Sequence, residues 1–310
     1  WYKVTFKKKK TLCSSVMSCM PIKKKNFFLK KEGFRYSICI NCSTYYMNPR
    51  PTTKVLDHFY KNSQLYDFFN KFIFPPSENQ RKKKLFKPRV DECIRLCKEN
   101  NFKNPSIIGI GAGFGTFCDL LKQSGYFSKI VAIEPSREGY LNCKKKNIDT
   151  IKDVIENIKF DKKDKFNVAT HFEVIEHLFS PRDFLLKIKK NLTANGLTIF
   201  SCPNGDGFEV RFLWKNSSTI NHEHLNYFNP YSINILLKKS GYKALKVFTP
   251  GKLDVNIIDN YINNKSIIIK DLFYQKIFNE KNQKLKNNFQ DFIERNNLSS
   301  HMFVIAKKIK

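Results

Sequence analysis

Short apolar runs separated by longer amphipathic stretches fill the chain from residue 89 onward, a pattern that predicts an α/β fold. Apolar runs at 107–110, 130–134, 166–171, 197–201, 242–249 and 301–307 read as strands, and a weaker one follows Ile148. Helical spacing occupies 89–100, 117–121, a stretch after Pro181, 232–240, and more polar segments at about 267–278 and 281–296. Gly241 stands where the helix over 232–240 should end. Upstream, helices are expected at 54–61, 64–72, 78–86 and 89–100, broken at Pro75-Pro76 and Pro88, as a cap over one end of the sheet.

The stretch around which the rest is organised is Ile-Ile-Gly-Ile-Gly-Ala-Gly-Phe-Gly-Thr, residues 107–116. Gly109, Gly111, Gly113 and Gly115 alternate with Ala112 and Phe114 among the intervening residues, and an apolar helical run follows. Glycine there tolerates positive φ and lets a ligand approach the backbone. The amides opening the next helix are unpaired and lie at the positive end of its dipole. Such a turn suits a nucleoside-bearing ligand that carries a carboxylate or phosphate. Glu134 stands 19 residues after Gly115, at the tip of the second strand and followed by Pro135. An acid at that place accepts hydrogen bonds from both ribose hydroxyls. The alternating glycines, with Phe114 among them, differ from the G-x-G-x-x-G spacing that a dinucleotide needs. Phe172 and Glu173 end the fourth strand, so they face the ligand-binding edge of such a sheet. Asp153 or Glu156 is a candidate for the base of the nucleoside. Glu176 and His177, a little further on, are expected to tie down the start of a helix.

Two other clusters carry chemistry. Cys13, Cys19, Cys39 and Cys42 lie near the N-terminus, the last two as Cys-Ile-Asn-Cys, a spacing that presents two thiolates to one Zn²⁺. Either the four cysteines hold a structural Zn²⁺, or a metal-free ribbon is held by Phe27, Phe28, Phe34 and Tyr36. Residues 221–232 read Asn-His-Glu-His-Leu-Asn-Tyr-Phe-Asn-Pro-Tyr-Ser. Either His222, Glu223 and His224 supply a general base near neutral pH, or they pack on the helix beginning after Asn229.

Charge changes the picture less than its size suggests. The net charge is +29, but the lysines are dispersed in short runs, as on a solvated surface. The basic residues lack the aromatic interleaving of a base-stacking face, so nucleic acid is not the expected partner, whereas an anionic small acceptor fits. Nine cysteines in a chain of this length argue against a disulfide framework. No apolar run approaches a membrane span, and the first residues show no signal-peptide core, so a cytoplasmic enzyme without membrane insertion is expected.

The glycine turn, Glu134, the segment Thr-His-Phe-Glu-Val-Ile-Glu-His-Leu (170–178) and Leu-Thr-Ala-Asn-Gly-Leu-Thr-Ile-Phe-Ser-Cys-Pro-Asn (192–204) together resemble the class I S-adenosylmethionine-dependent methyltransferases. The resemblance implies S-adenosylmethionine as cofactor and a Rossmann-like sheet of seven strands, the last inserted antiparallel. It implies cofactor contacts from Gly109, Gly111, Ala112, Gly113, Phe114, Gly115, Glu134, Pro135, Phe172 and Glu173. The cysteines, Asn-Pro-Arg-Pro (48–51), Lys-Pro-Arg (87–89) and Pro-Gly-Lys-Leu-Asp-Val (250–255) look like one subgroup, with relatives that are sugar C-methyltransferases acting on nucleotide-linked keto-sugars. That similarity implies a carbohydrate or nucleotide-sugar acceptor of surface glycan biosynthesis, with Glu223 and His224 at the base position and His222 behind them. One departure stands out: Gly109 occupies the place where most such enzymes carry an acid. The expected organisation is a Cys-rich module over 1–48, a helical connector over 49–104, a cofactor core over 105–250 with an acceptor loop at 205–231, and C-terminal helices with a final strand over 251–310. Methylation of a base amine is disfavoured, because no Asn/Asp-Pro-Pro-aromatic motif follows the fourth strand.

Overall fold

The computed structural model describes residues 26–62, 68, 72–161, 163–278 and 282–309. Cys13 and Cys19, and most of the helix expected over 64–72, lie outside them. Three antiparallel strands come first: β1 (Asn26–Lys31), β2 (Phe34–Ile38) and β3 (Tyr45–Met47). Helices α1 (Thr53–Asn62), α2 (Phe74–Arg81) and α3 (Lys87–Glu99) follow. The core then alternates: β4 (Ser106–Ile110), α4 (Thr116–Gln123), β5 (Lys129–Ile133), α5 (Arg137–Lys145), β6 (Asp149–Ile151), β7 (Phe166–Phe172), α6 (Pro181–Asn191) and β8 (Leu192–Pro203). After α7 (Phe208–Leu213) come β9 (Asn226–Tyr227), α8 (Pro230–Lys239) and β10 (Tyr242–Phe248). Helices α9 (Asp254–Asn263), α10 (Leu272–Ile277) and α11 (Gln283–Arg295) precede β11 (His301–Lys308).

The main sheet runs β10-β11-β8-β7-β4-β5-β6. Strands β4 to β8 pair in parallel, and β11 enters antiparallel between β8 and β10. This is the seven-stranded Rossmann-like arrangement expected. Successive residues in these strands point to opposite faces, and both faces are covered, which is why the runs show no polar alternation. Ile108, Val131 and Ala169 meet α6 and α8 through Phe184, Leu185, Leu236 and Leu237. Ile107, Ala132 and Val168 meet α3 and α4 through Val90, Cys97, Phe117 and Leu121. The chain leaves β4 toward β5 on one side, while β7 and β8 lie on the other. The crevice at the switch point therefore opens between the carboxyl ends of β4 and β7, where Ile110 is in register with His171.

The prolines behave differently from the expectation. Pro75 and Pro76 lie in the first turn of α2 and Pro88 in the first turn of α3, where a missing N–H leaves nothing unsatisfied. Between the helices, Lys82–Phe86 form a π-turn, with the Lys87 N–H bonded to the Lys82 carbonyl. The wider turn accommodates Pro88 without ending the helical path.

The N-terminal sheet is not self-contained. Its order is β1-β2-β3-β9, with Tyr45 opposite Tyr227 and Tyr46 opposite Asn226, so its fourth strand comes from the 205–231 loop. Leu29, Tyr36 and Met47 share one core with Val210, Ile220 and Leu225. Arg50, from the Asn-Pro-Arg-Pro connection, closes the junction. Its guanidinium donates to the Phe179 carbonyl at 2.7 Å and to Asn226 Oδ1 at 2.5 Å, and Asn226 in turn donates to the carbonyls of Glu176 and Leu178. Arg50→Ala strands these buried acceptors, and the expected loss is ~3 kcal/mol. A lower denaturant midpoint at unchanged slope checks it. Among the described residues, no helix is long and apolar enough to cross a membrane.

Candidate active site

The glycine turn is built against the end of β5. The amides of Gly111 and Ala112 both donate to the Ile133 carbonyl, at 2.8 and 3.1 Å. Gly111 has φ +71°, and a Cβ there would lie 2.6 Å from Val174 Cγ2, so two separate constraints require glycine. Gly113 and Gly115 also have positive φ, and Gly115 stands at the start of α4. Gly109 is different. It lies within β4, buried, where a Cβ would come 2.8 Å from Cys118 Sγ. A larger residue there would require the Cys118 side chain to turn aside. Phe114 is half-buried, with the Lys146 ammonium 4.2 Å from its ring centroid.

Glu134 is nearly buried at the tip of β5. Its carboxylate accepts from the Gly113 amide at 2.7 Å, the Ser136 amide at 2.9 Å and the Ser136 hydroxyl at 2.6 Å. Burial pushes this carboxyl up, against the pull of those donors. Of about four lone-pair positions, three are taken, which leaves one for a ribose hydroxyl unless Ser136 turns aside. Pro135 follows, half-buried, before Ser136 caps α5.

Across the crevice, Phe172 packs edge-on against Phe117, and the Arg89 guanidinium lies 4.2 Å from its ring centroid. Glu173 follows with φ +54°. Its carboxylate accepts from Ser201 Oγ at 2.5 Å and His301 Nε2 at 2.7 Å, with Arg89 4.0 Å away. Desolvation works against its charge, but His301, Ser201 and Arg89 outweigh that and hold the carboxyl well below the usual range. Burial draws Arg89 down to about 10, so it stays charged at neutral pH. Arg89, Ser201 and His301 carried no local signal, although Lys-Pro-Arg contains the first of them.

The loop over 221–224 is shaped by Asn221, whose Oδ1 accepts from the amides of Glu223 and His224. The three titratable side chains part company. His222 is exposed, stacked near Phe34, with Nδ1 3.3 Å from Glu32. Glu223 contributes its carbonyl to His177 Nδ1 at 3.1 Å. His224 turns inward, its Nδ1 donating to the Thr219 carbonyl at 2.8 Å, with its ring 4.7 Å from that of His177. Burial lowers the pKa of His224, so the imidazole is neutral at pH 7. Glu176 and His177 hold the 205–231 loop and not a helix start: the Glu176 carbonyl accepts from Leu225 N at 2.9 Å, and His177 Nδ1 meets the Glu223 carbonyl.

A family described as "Methyltransferase domain" matches residues 78–247, more than half the chain. The chain belongs to the methyltransferase domain family. It is an S-adenosylmethionine-dependent methyltransferase. Two solved structures show the same fold. The plantazolicin methyltransferase BpumL, in complex with SAH, is 13% identical, with a TM-score of 0.53 over 82% of this chain and 94% of that one. An S-adenosylmethionine-dependent methyltransferase from Clostridium acetobutylicum is 11% identical, with a TM-score of 0.50 over 78% and 99%. No curated protein matches the methyltransferase.

Proposed function

We propose that the methyltransferase transfers the methyl group of S-adenosylmethionine to a carbohydrate or nucleotide-linked sugar, at carbon or oxygen, in surface glycan biosynthesis. The cofactor's methionine end meets the turn at Gly111, Ala112, Gly113 and Gly115, with Phe114 beside it and Glu134 and Pro135 at the ribose. Phe172 and Glu173 line the methyl donor from the other side of the crevice. Transfer is a direct displacement at the sulfonium methyl, for which the protein supplies alignment. The observation that carries the acceptor side is the inward, neutral His224. Its Nδ1 is fixed on the Thr219 carbonyl, which leaves Nε2 as the nitrogen with the lone pair. That nitrogen takes the proton beside a carbonyl or from a hydroxyl, and the carbon or oxygen left behind attacks the methyl. Glu223 and His222 shape the loop around it. The strongly basic surface favours an anionic acceptor.

A panel of nucleotide-sugars, assayed by formation of S-adenosylhomocysteine, tests this reading. Turnover with at least one is expected, and His224→Ala should lower it about 100-fold with cofactor binding kept. Equal turnover in the variant removes His224 from the mechanism, and no turnover across the panel removes the acceptor class.

The Cys module is proposed as a structural Zn²⁺ site. Cys39 and Cys42 are buried in a tight turn, with the Ser43 amide on the Cys39 carbonyl at 2.8 Å and Ser43 at φ +57°, as a knuckle requires. Cys13 and Cys19 would complete the set. Metal analysis of the parent beside Cys39→Ser and Cys42→Ser checks it, and an absence of zinc in the parent sinks it.

A further inference from the structure

The side chain of Glu176 has no place in the chemistry above. It lies on the short helical turn Ile175–His177, is 1% exposed, and neither carboxylate oxygen has a hydrogen-bond partner. An ionised carboxylate buried in this way is costly, so such a group takes up a proton, is paired or binds metal. Burial and the neighbouring Glu173 push the Glu176 carboxyl up, and an ion would take the place of that proton. Two imidazoles stand beside it. One ligand atom each from Glu176, His177 and His224 lies within 4.8 Å of the others, and His177 Nε2 is 3.9 Å from Glu176 Oε1.

The backbone decides which ring nitrogen carries the proton. His177 Nδ1 meets the Glu223 carbonyl and His224 Nδ1 meets the Thr219 carbonyl. A carbonyl only accepts, so each Nδ1 carries the proton and each Nε2 carries a lone pair. Metal-bound histidines are oriented in this way by the bond their other nitrogen makes. Glu173 is the next carboxylate, and its field acts on all three groups, while Arg89 stands on Glu173 rather than on the cluster. Ligands ~2.1 Å from one ion are ~3–4 Å apart, so closure needs about an ångström of side-chain movement.

We propose that Glu176, His177 and His224 form a binding site for a divalent first-row transition-metal ion. Two imidazole nitrogens and one carboxylate suit Mn²⁺, Fe²⁺, Co²⁺ or Zn²⁺ and leave coordination positions open. The site is separate from the cysteines, and the thiolates there do not select Mn²⁺. For its bearing on catalysis the inference rests on the transferase function proposed above but changes one role in it: with an ion bound, His224 Nε2 would be a ligand in place of the base, and the acceptor would offer an oxygen that completes the coordination. Held by these three residues, the ion would lower the pKa of an acceptor hydroxyl: the proton would pass to water, the oxygen would bond to the methyl carbon, and the donor's sulfur would keep the electron pair of the broken S–C bond.

The test is Mn²⁺ binding by the chelator-treated full chain, followed by the loss of the free-ion electron paramagnetic resonance signal. One Mn²⁺ per chain is expected. Glu176→Gln should weaken it by about 100-fold, and His177→Asn likewise. Both variants should still release heat with S-adenosylhomocysteine, which shows that they are folded. Cys39→Ser should bind Mn²⁺ as the parent does. Failure of the parent to take up Mn²⁺, or unchanged binding in a folded Glu176→Gln or His177→Asn, overturns the site. Turnover that persists in chelator and is lost in His224→Ala sinks the ion's part in catalysis and leaves the transferase reading, with His224 as base, standing. Mn²⁺ binding without turnover on any sugar sinks the acceptor class and leaves the site.

Discussion

Replacing Gly207 by alanine is expected to destabilise the fold by more than ~4 kcal/mol, enough to leave little native protein at ordinary temperature. The residue lies between β8 and α7, where the chain is stitched to the segment before β11. Asn204 N donates to the Ser300 carbonyl and Phe208 N to the Leu298 carbonyl. A Cβ at residue 207 would come 2.2 Å from Ser300 Cα and 2.6 Å from Ser300 N. Both are backbone atoms, so no side-chain rotation relieves the overlap. The alternatives are to part the segments, breaking these bonds, or to shift the first residues of β11, which is paired on both sides, to β8 and β10. The φ of Gly207 is −68°, so the effect comes from space and not from conformational preference. Thermal unfolding of Gly207→Ala beside Gly113→Ala separates the two causes. Gly113 has positive φ but nothing within 4 Å of its Cβ, and should lose only ~1–2 kcal/mol. Equal stability of Gly207→Ala and the parent contradicts the packing described.

Glu134→Ala should weaken S-adenosylhomocysteine binding by about 10³-fold. The carboxylate accepts from Gly113 and Ser136, which holds the turn, and on the function proposed above its remaining lone pair meets the ribose. Hydrogen bonds to a charged group contribute ~1.5–3 kcal/mol each, and losing one ribose bond together with the tether on the turn gives ~4 kcal/mol, or about 10³ in affinity. Glu134→Gln should fall nearly as far, because the amide nitrogen cannot accept from Gly113 or Ser136. Calorimetric titration measures both, and a loss below tenfold in either variant shows that Glu134 does not hold the cofactor.

The strands and the glycine turn were legible because their signals are local and repeated. Runs such as Ile107–Ile110 and Ile130–Ile133 are buried on both faces, and a tight turn needs glycines at fixed places. What was hidden depends on distant partners or on unusual local geometry. A two-residue strand such as β9 has no period to detect, so nothing in 205–231 announces its pairing with Tyr45 and Tyr46. Pro88 looked like a break because the π-turn before it leaves no pattern of its own. The third strand, expected from Ile148, is only Asp149–Ile151, and Asp153 then caps its own turn through Val154 N and Asn157 Nδ2. Leu253 holds the N-cap position of α9, and the Asp254 carboxylate beside it accepts from the Ser300 amide at 2.7 Å, a partner 46 residues away that no local pattern announces. The close approach of Cys118 to Gly109, from the following helix, has no local signal. Glu176 and His177 were legible only as helix ties, since His224 comes to face them through a loop with no periodic signal.

Because β9 belongs to the N-terminal sheet, the segment that presents His224 and the strands carrying Tyr45 and Tyr46 form one mechanical unit. A chimera that exchanged residues 205–231 alone for those of a relative would mismatch strand pairing and core at once. On the acceptor role proposed for His224, a change of acceptor in this chain requires that the two pieces be exchanged together.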